Sequence, residues 1–334
     1  MPLQATGSEA LIVFDEEVTY NTIPTAAAAN PRLFPFTSED LRRSRGRIES
    51  AAITAYRDRR MPRQENIDVR GTINFEADAT WMGTIFKHAL GSVSSTTTAP
   101  NYTHTITVGA LPTGLMLEKR FINVGSATGT QYFNYRGCKI NQLSMSFSAS
   151  GFITGSVSVI GASENQSTAS YTTATATDLG NNPFDGFEAT IFEGGTGGTT
   201  LGYATDIEFT LDNALDDTTF AIGGAGTRRN LPEGFSTITG TMTVLFEDIS
   251  LYTKAVNFDT SLIKIQLTRG TGDGSAGNEH MEILIPELKY DSSAPVVADD
   301  RGIKLELPFS AFASTAGGST TSMQITLKNT QATI

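Results

Sequence analysis

The residues from which this chain could build a catalytic or metal centre are few, and their spacing argues against both. His88, His104 and His280 are the only histidines and stand at no metal-ligand spacing. His88 follows Lys87 and reads as a surface or helix-end residue. Cys138 is the single cysteine, so no intrachain disulfide forms and a reducing compartment fits. With no histidine near it in sequence, it reads as a small core or strand residue rather than a nucleophile. The acid pairs Glu16–Glu17, Asp216–Asp217 and Asp299–Asp300 are consecutive residues. On a strand they point to opposite sides and are poorly placed to share a catalytic proton. Gly270–Asn278, GTGDGSAGN, lacks the second and third acids of a calcium loop and reads as a hairpin tip. No Gly-x-Ser-x-Gly, P-loop or His-Glu-x-x-His pattern occurs. The expectation is a protein that is not an enzyme and holds no cofactor or metal.

Two other groupings are regular enough to mean something. Alternating with apolar positions run Asp68, Arg70, Thr72, Asn74, Glu76, then Asp206, Glu208, Thr210, Asp212, then Thr237, Thr239, Thr241, Thr243. Hydroxyls and carboxylates on one strand face suit an ordinary solvated sheet. A face so poor in lysine and aromatics also suits the wall of a wet channel that does not grip its contents. The second grouping is Arg42, Arg43, Arg45, Arg47, Arg57, Arg59, Arg60 and Arg63, a basic run in an acidic protein. It reads either as a solvated loop face or as a surface that docks on an identical, acidic neighbour.

The elements that must carry these residues are stated twice. Ile67–Leu90, IDVRGTINFEADATWMGTIFKHAL, reads as a strand running into a helix, and STITGTMTVLFEDISLYTKAVNF from Ser236 to Phe258 repeats it. Val69, Gly71, Ile73, Phe75 and Ile238, Gly240, Met242, Val244 alternate with period two. Asp78 and Asp248 are placed to cap the helices that follow. Trp81, Met82, Ile85, Phe86 and Ala89 then fall at helical spacing, and Leu251, Tyr252, Ala255 and Val256 repeat the first four. The offset is 169 residues from Gly71 to Gly240 and 170 from Asp78 to Asp248. The rest of the chain follows suit. Residues 9–18 pair with 186–195, Leu115–Phe121 with Leu262–Arg269, and the strands Lys139–Ser148 and Phe152–Gly161 with Glu282–Tyr290 and Gly302–Phe309. Pro286 predicts an edge or a bulge. Residues 91–105 read as a polar loop, and the first half spends about twenty more residues there, as a longer loop or an extra hairpin. Ala26–Ala29 between Pro24 and Pro31 reads as an extended arm. Residues 162–185 are rich in Ser, Thr, Ala and Asn, and the linker is set at 164–185. The predicted organisation is therefore 1–163, a linker at 164–185, and 186–334, with 8–163 and 186–312 superposing. A Gly/Ser/Thr-rich stretch, Ser314–Ser322, precedes a last alternating segment, Met323–Lys328.

Composition sets the limits. The chain's 334 residues suffice for two domains, each with its own core. No apolar run approaches bilayer length, and no signal peptide is visible at the N-terminus. The formal charge of −11 repels phosphates, which makes a specific DNA-binding domain a poor fit. Abundant Gly, Ser and Thr with few helical patterns predict a mainly β scaffold.

The strand IDVRGTINFEAD with its helix WMGTIFKHALG, and the hairpin GCKINQLSMSFSASGFITGSVSVIGAS, resemble the tail tube proteins of long-tailed, non-contractile bacteriophages. TDIEFTLDNAL and STITGTMTVLFED carry the resemblance into the second half. It covers most of the chain as pattern rather than as an invariant signature. The resemblance implies tandem β-sandwich or half-barrel domains, each flanked by one helix, whose hairpins join neighbours into rings that stack around a DNA channel. It implies as partners the chain itself, a tape measure protein and tail-end proteins, and a place in the virion tail after synthesis in the host cytoplasm. Such proteins mostly carry one copy of the fold and form hexameric rings. A duplicated chain would form a trimer of six pseudo-equivalent units, with a hexamer as the alternative. The lumen candidates are Glu76, Ser156, Ser158, Glu208, Asp212, Thr241, Thr243 and Glu306, with Lys304 and Arg70 partly offsetting the acids. The inter-subunit candidates are Arg42, Arg43, Arg45, Arg57, Arg59 and Arg60. Competing readings are another ring-forming virion component, such as a tail terminator or capsid decoration protein, and a carbohydrate-binding β-sandwich module. The last wants exposed aromatics, whereas the single tryptophan, Trp81, sits on the apolar helical stripe.

Overall fold

Period-two alternation becomes strand along most of the chain. The computed structural model describes residues 4–53, 55–98, 101–126, 129–195, 197–291, 294–297, 302–314 and 320–334. The first half holds β1 (Leu11–Glu16), β2 (Arg32–Leu33), β3 (Ser38–Glu39), β4 (Arg42–Ile48), β5 (Arg63–Glu76) and α1 (Gly83–Leu90). It continues with β6 (Gly91–Thr98), β7 (Asn101–Val108), β8 (Leu115–Ile122), β9 (Thr130–Ser148), β10 (Thr154–Gly161) and β11 (Ser163–Ser167). The second half holds β12 (Ala189–Glu193), β13 (Thr199–Thr200), β14 (Ala204–Asp212), β15 (Thr237–Leu245) and α2 (Ser250–Asn257). Last come β16 (Thr260–Thr268), β17 (His280–Tyr290), β18 (Lys304–Ala311) and β19 (Gln324–Asn329). The protein is mainly β, with two flanking helices and antiparallel strand pairs.

Strand order repeats between the halves. β1 pairs β8, β8 pairs β9, β9 pairs β10 and β10 pairs β5. In the same sequence, β12 pairs β16, β16 pairs β17, β17 pairs β18 and β18 pairs β15. β3 and β4 flank β5 as β14 flanks β15. Register repeats too: Ser38 faces Asn74 and Ser44 faces Asp68, while Asp206 faces Thr243 and Asp212 faces Thr237. The halves are joined by β14, which pairs with the far end of β9, so one sheet runs β4, β5, β10, β9, β14, β15, β18. A second tie is β19, which lies between β17 and β7.

β9 serves two sheets. Its first part pairs β8 and β11, and Lys139–Ser146 pair β10. The change comes at Gly137, whose φ of +61° is a left-handed conformation that a side chain would strain. The Gly137 N–H donates to Glu17 Oε1 at 2.8 Å, and the Asn21 N–H donates to Oε2 at 2.7 Å. Burial nevertheless pushes the Glu17 carboxyl up to about 7. A carboxyl raised in the folded state adds stability that is complete below about 4.5 and lost as pH rises through about 7. Stability should therefore fall by roughly 3 kcal/mol from this group between pH 4.5 and 8. Thermal melts of wild type and Glu17→Gln across that range check it: the substitution should flatten the slope, and parallel slopes would refute it.

Gly71 and Gly240 occupy matching places on the apolar faces of β5 and β15. A Cβ on Gly71 would lie 2.2 Å from the Leu41 Cα, and one on Gly240 would lie 2.5 Å from the Phe309 ring. Each glycine admits the close approach of a neighbouring strand or ring.

Most of the buried apolar side chains form one contiguous cluster drawn from both halves, and Ile160, Leu215 and Leu231 form a small second one. The predicted linker is not a loose tether. Residues 163–167 are strand, Phe184 is fully buried, and Glu118, itself buried, accepts bonds from Ser170 Oγ (2.9 Å) and the Tyr171 N–H (3.0 Å).

Several expectations change. Asp78 does not cap α1, because a turn through Met82 delays the helix to Gly83; its carboxylate accepts the N–H groups of Thr80 and Asn182. Asp248 accepts the N–H of Ser250, the first residue of α2. Residues 91–105 are hairpin rather than loop, although residues 99–100 lie outside the described residues. Ala26–Ala29 close a turn on the Thr25 carbonyl instead of extending. Trp81 in the turn before α1 and Ile85 and Phe86 within it are buried as expected; in α2, Leu251 and Ala255 are buried but Val256 is 55% exposed. The α2 stripe is narrow because Lys254 turns inward to Glu193 at 2.8 Å, leaving Val256 on the outer side. Pro286 sits where the β16–β17 register shifts, as a bulge requires. The pair Asp299–Asp300, and residues 315–319 of the Gly/Ser/Thr stretch, lie outside the described residues.

Candidate functional site

Antiparallel neighbours in register put opposed residues on the same face. A first row crosses the joined sheet from Ser38 through Asn74, Ser156, Ser144, Thr210 and Thr239 to Ser310. A second runs from Glu76 through Thr154, Ser146 and Glu208 to Thr241. A third holds Thr72, Ser158, Gln142 and Asp212, and a fourth holds Ser148, Asp206, Thr243 and Glu306. All eight lumen candidates thus share one face, although they come from five strands and both halves. The sheet curls so that Ser38 at one end and Ser310 at the other line the same concavity, of ≈ 890 Å³.

The face is held by its own polar groups. Ser144 and Thr210 hydroxyls bond at 2.8 Å, Asn74 Nδ2 donates to Ser38 Oγ at 2.8 Å, and Gln142 Nε2 donates to Asp212 at 2.7 Å. Asp212 also accepts the Ala214 N–H at 2.7 Å, so it is committed to the fold, whereas Glu208 projects into solvent. Sequence reasoning missed the β9 residues Gln142, Ser144 and Ser146, and it missed Asp40. Asp40 exchanges bonds with Thr72 (2.6 and 3.1 Å), the place Glu208 takes against Thr241.

The basic residues expected to offset the acids differ in fate. Arg70 donates to Asp68 at 2.6 and 2.9 Å and to Asp217 at 3.0 Å, so its charge is matched. Arg228 adds a bond to Asp68 at 2.6 Å. Burial would raise the Asp68 carboxyl, but Arg70 and Arg228 outweigh it and hold it below the usual carboxylate range. Lys304 remains exposed beside Glu306.

The arginine run is part strand and part loop. Arg42, Arg43, Arg45 and Arg47 lie on β4, which pairs only with β5 among the described residues. Arg57, Arg59 and Arg60 are exposed on the connection to β5, where Arg59 pairs with Glu49 at 2.6 Å. At the other end of the sheet, Leu305–Leu307 of β18 pair with β15 on one side and, among the described residues, with no strand on the other. Among the described residues this joined sheet therefore ends in two open strand edges.

The histidine reading needs correction. His88 is buried, not a surface residue, and its Nε2 meets Glu16 at 2.8 Å. Glu16 is also bonded by Lys87, and against burial these two partners hold its carboxyl at about 2. Glu16 and Glu17 thus point to separate partners. Cys138 is buried in β9 and burial pushes its thiol well up. Among the described residues, no group of three His, Cys, Asp or Glu could hold a metal ion, and no helix is long and apolar enough to cross a membrane.

A family model described as phage tail tube protein matches residues 7–311. No curated protein matches the chain.

Proposed function

Because the chain belongs to the phage tail tube protein family, we propose that three copies close head to tail into a ring and that stacked rings form the tube of a long, non-contractile tail. The family is structural, not enzymatic, and its members self-assemble as a component of the virion tail. In this reading residues 1–163 and 186–334 are two copies of one fold joined by 164–185, and three chains supply six pseudo-equivalent units. The observation that carries it is the polar face, continuous across both halves and bounded by two open edges. Edges of this kind are removed by closure, and a head-to-tail contact closes into a cyclic ring. The concave face becomes the channel wall, with Glu76, Glu208, Asp212 and Glu306 set among Ser156, Ser158, Thr241 and Thr243. Asp40 and Glu208, three of each per ring, alternate as one belt of six carboxylates. Their repulsion keeps DNA from adhering; it reaches about 8 Å at physiological salt and so acts close to the wall. A tape measure protein would fill the tube before DNA, and tail-end proteins would close it. The chain is made in the host cytoplasm and ends in the virion.

The mass of an isolated ring tests the stoichiometry: three chains are expected, and six would reject the trimer while leaving the tube. The charge argument is tested with Glu76→Lys/Glu208→Lys, sparing Asp212. Tubes should assemble, and DNA release should slow by about tenfold or more as the wall begins to bind phosphates. Unchanged release from normal tubes would remove these carboxylates from the channel.

A further inference from the structure

The connection after β14 shows how one half is covered by the next. Asn213 Nδ2 donates to the carbonyls of Ala89 (2.9 Å) and Ile140 (3.0 Å), and the Ile67 N–H donates to Gly226 O at 2.8 Å. The buried Arg228 donates to Gly161 O at 2.9 Å and to Asp68. Leu215 and Leu231 close over Ile160. Residues 213–236 thereby cover the ends of β5 and β10.

The second half has the same ends, uncovered among the described residues. Carrying the ladder registers across, Ser236, just before β15, and Thr237, its first residue, stand where Ile67 and Asp68 stand on β5. Ser310 and Ala311 on β18 likewise match Ile160 and Gly161. These four residues line an open groove of ≈ 490 Å³. Its apolar rim is Phe235, 96% exposed, and Phe312, 46% exposed. The element that should cover it by analogy is the connection after β4, the counterpart of β14. That connection carries Ile53, Tyr56 and Met61, all at least 80% exposed. It starts from the far edge of the same sheet.

We propose that the β4–β5 connection of one copy seats Ile53, Tyr56 and Met61 in the Phe235–Phe312 groove of a second copy, as residues 213–236 seat on the first half within the chain. The partner is this same chain; the inference takes its head-to-tail direction from the ring reading. The contact buries an apolar patch on each side, as a specific interface core requires. The arm brings Arg57, Arg59 and Arg60 toward an acidic neighbour, near Glu287, whose carbonyl accepts the Phe312 N–H. Arginine next to buried apolar anchors sets orientation and speeds encounter.

Two variants test this, both altering side chains exposed in the single chain: Ile53→Asp/Tyr56→Asp/Met61→Asp in the arm and Phe235→Asp/Phe312→Asp in the groove. Circular dichroism checks that each folds. Sedimentation velocity over a range of concentrations should show wild type self-associating and each variant at least tenfold weaker. An equal mixture should form dimers and nothing larger, because one intact arm meets one intact groove. Either variant assembling like wild type, or a mixture that stays monomeric, overturns the arm contact. Normal tubes from both variants would do so while leaving the tube reading intact. A wild type that stays monomeric at every concentration refutes both.

Discussion

Phe86→Ala is expected to lower the free energy of unfolding by roughly 3–5 kcal/mol. The ring is fully buried on α1, and Ile85, Ala89 and Leu90 beside it are buried too. One turn earlier Trp81 meets Phe34 at 4.9 Å and Phe75 edge-on at 5.5 Å. These aromatics lock the helix against β5, so the space left by Phe86 has little that can collapse into it. Urea titration followed by tryptophan fluorescence measures the loss directly, since Trp81 is the single tryptophan and lies in the same cluster. An effect below 1 kcal/mol would mean the helix is not anchored through this face.

Arg228→Met should cost about as much, roughly 3–5 kcal/mol, for an electrostatic reason. Arg228 is 3% exposed, and its guanidinium serves the Asp217 carbonyl at 2.7 Å, the Gly161 carbonyl and the Asp68 carboxylate. Methionine fills the volume but leaves a carboxylate and two carbonyls short of a donor. Because Asp68 and Gly161 lie in one half and Arg228 in the other, the loss should be local as well as global. Hydrogen exchange at the Ile67 amide, bonded to Gly226, should speed up more than exchange at amides of β16. Uniform acceleration would show that Arg228 stabilises the whole fold without holding this contact.

What could be read in advance was whatever repeats at short range. Alternation in IDVRGTINFE and STITGTMTVL identified both strands and their polar faces, since period two needs no knowledge of the partner strand. The helical stripe from Trp81 to Ala89 was legible for the same reason. Features decided by a distant partner were not. His88 is buried because Glu16 waits 72 residues away, and nothing beside it says so. Asp78 sits at a helix start by sequence, yet a turn intervenes and Asn182, 104 residues on, takes its carboxylate. Asp40 reaches the polar face only through the register of β3 and β4 on β5, which no local pattern sets. The β9 serines were hidden by the strand's double duty, for Asn141 falls where the register on β10 shifts.

The seating of β19 between β17 and β7 has a consequence for how the chain comes to be folded. Asn329 Nδ2 donates to the Ala79 carbonyl across 250 residues, and His104 Nε2 meets the Gln331 carbonyl across 227. At ordinary rates of synthesis those partners emerge roughly 10–50 s apart. Through that interval β7 waits with one edge unpaired, and loop closure over such a span makes the final pairing slow. The protein must therefore be guarded against joining other unfinished chains before it is ready to join finished ones.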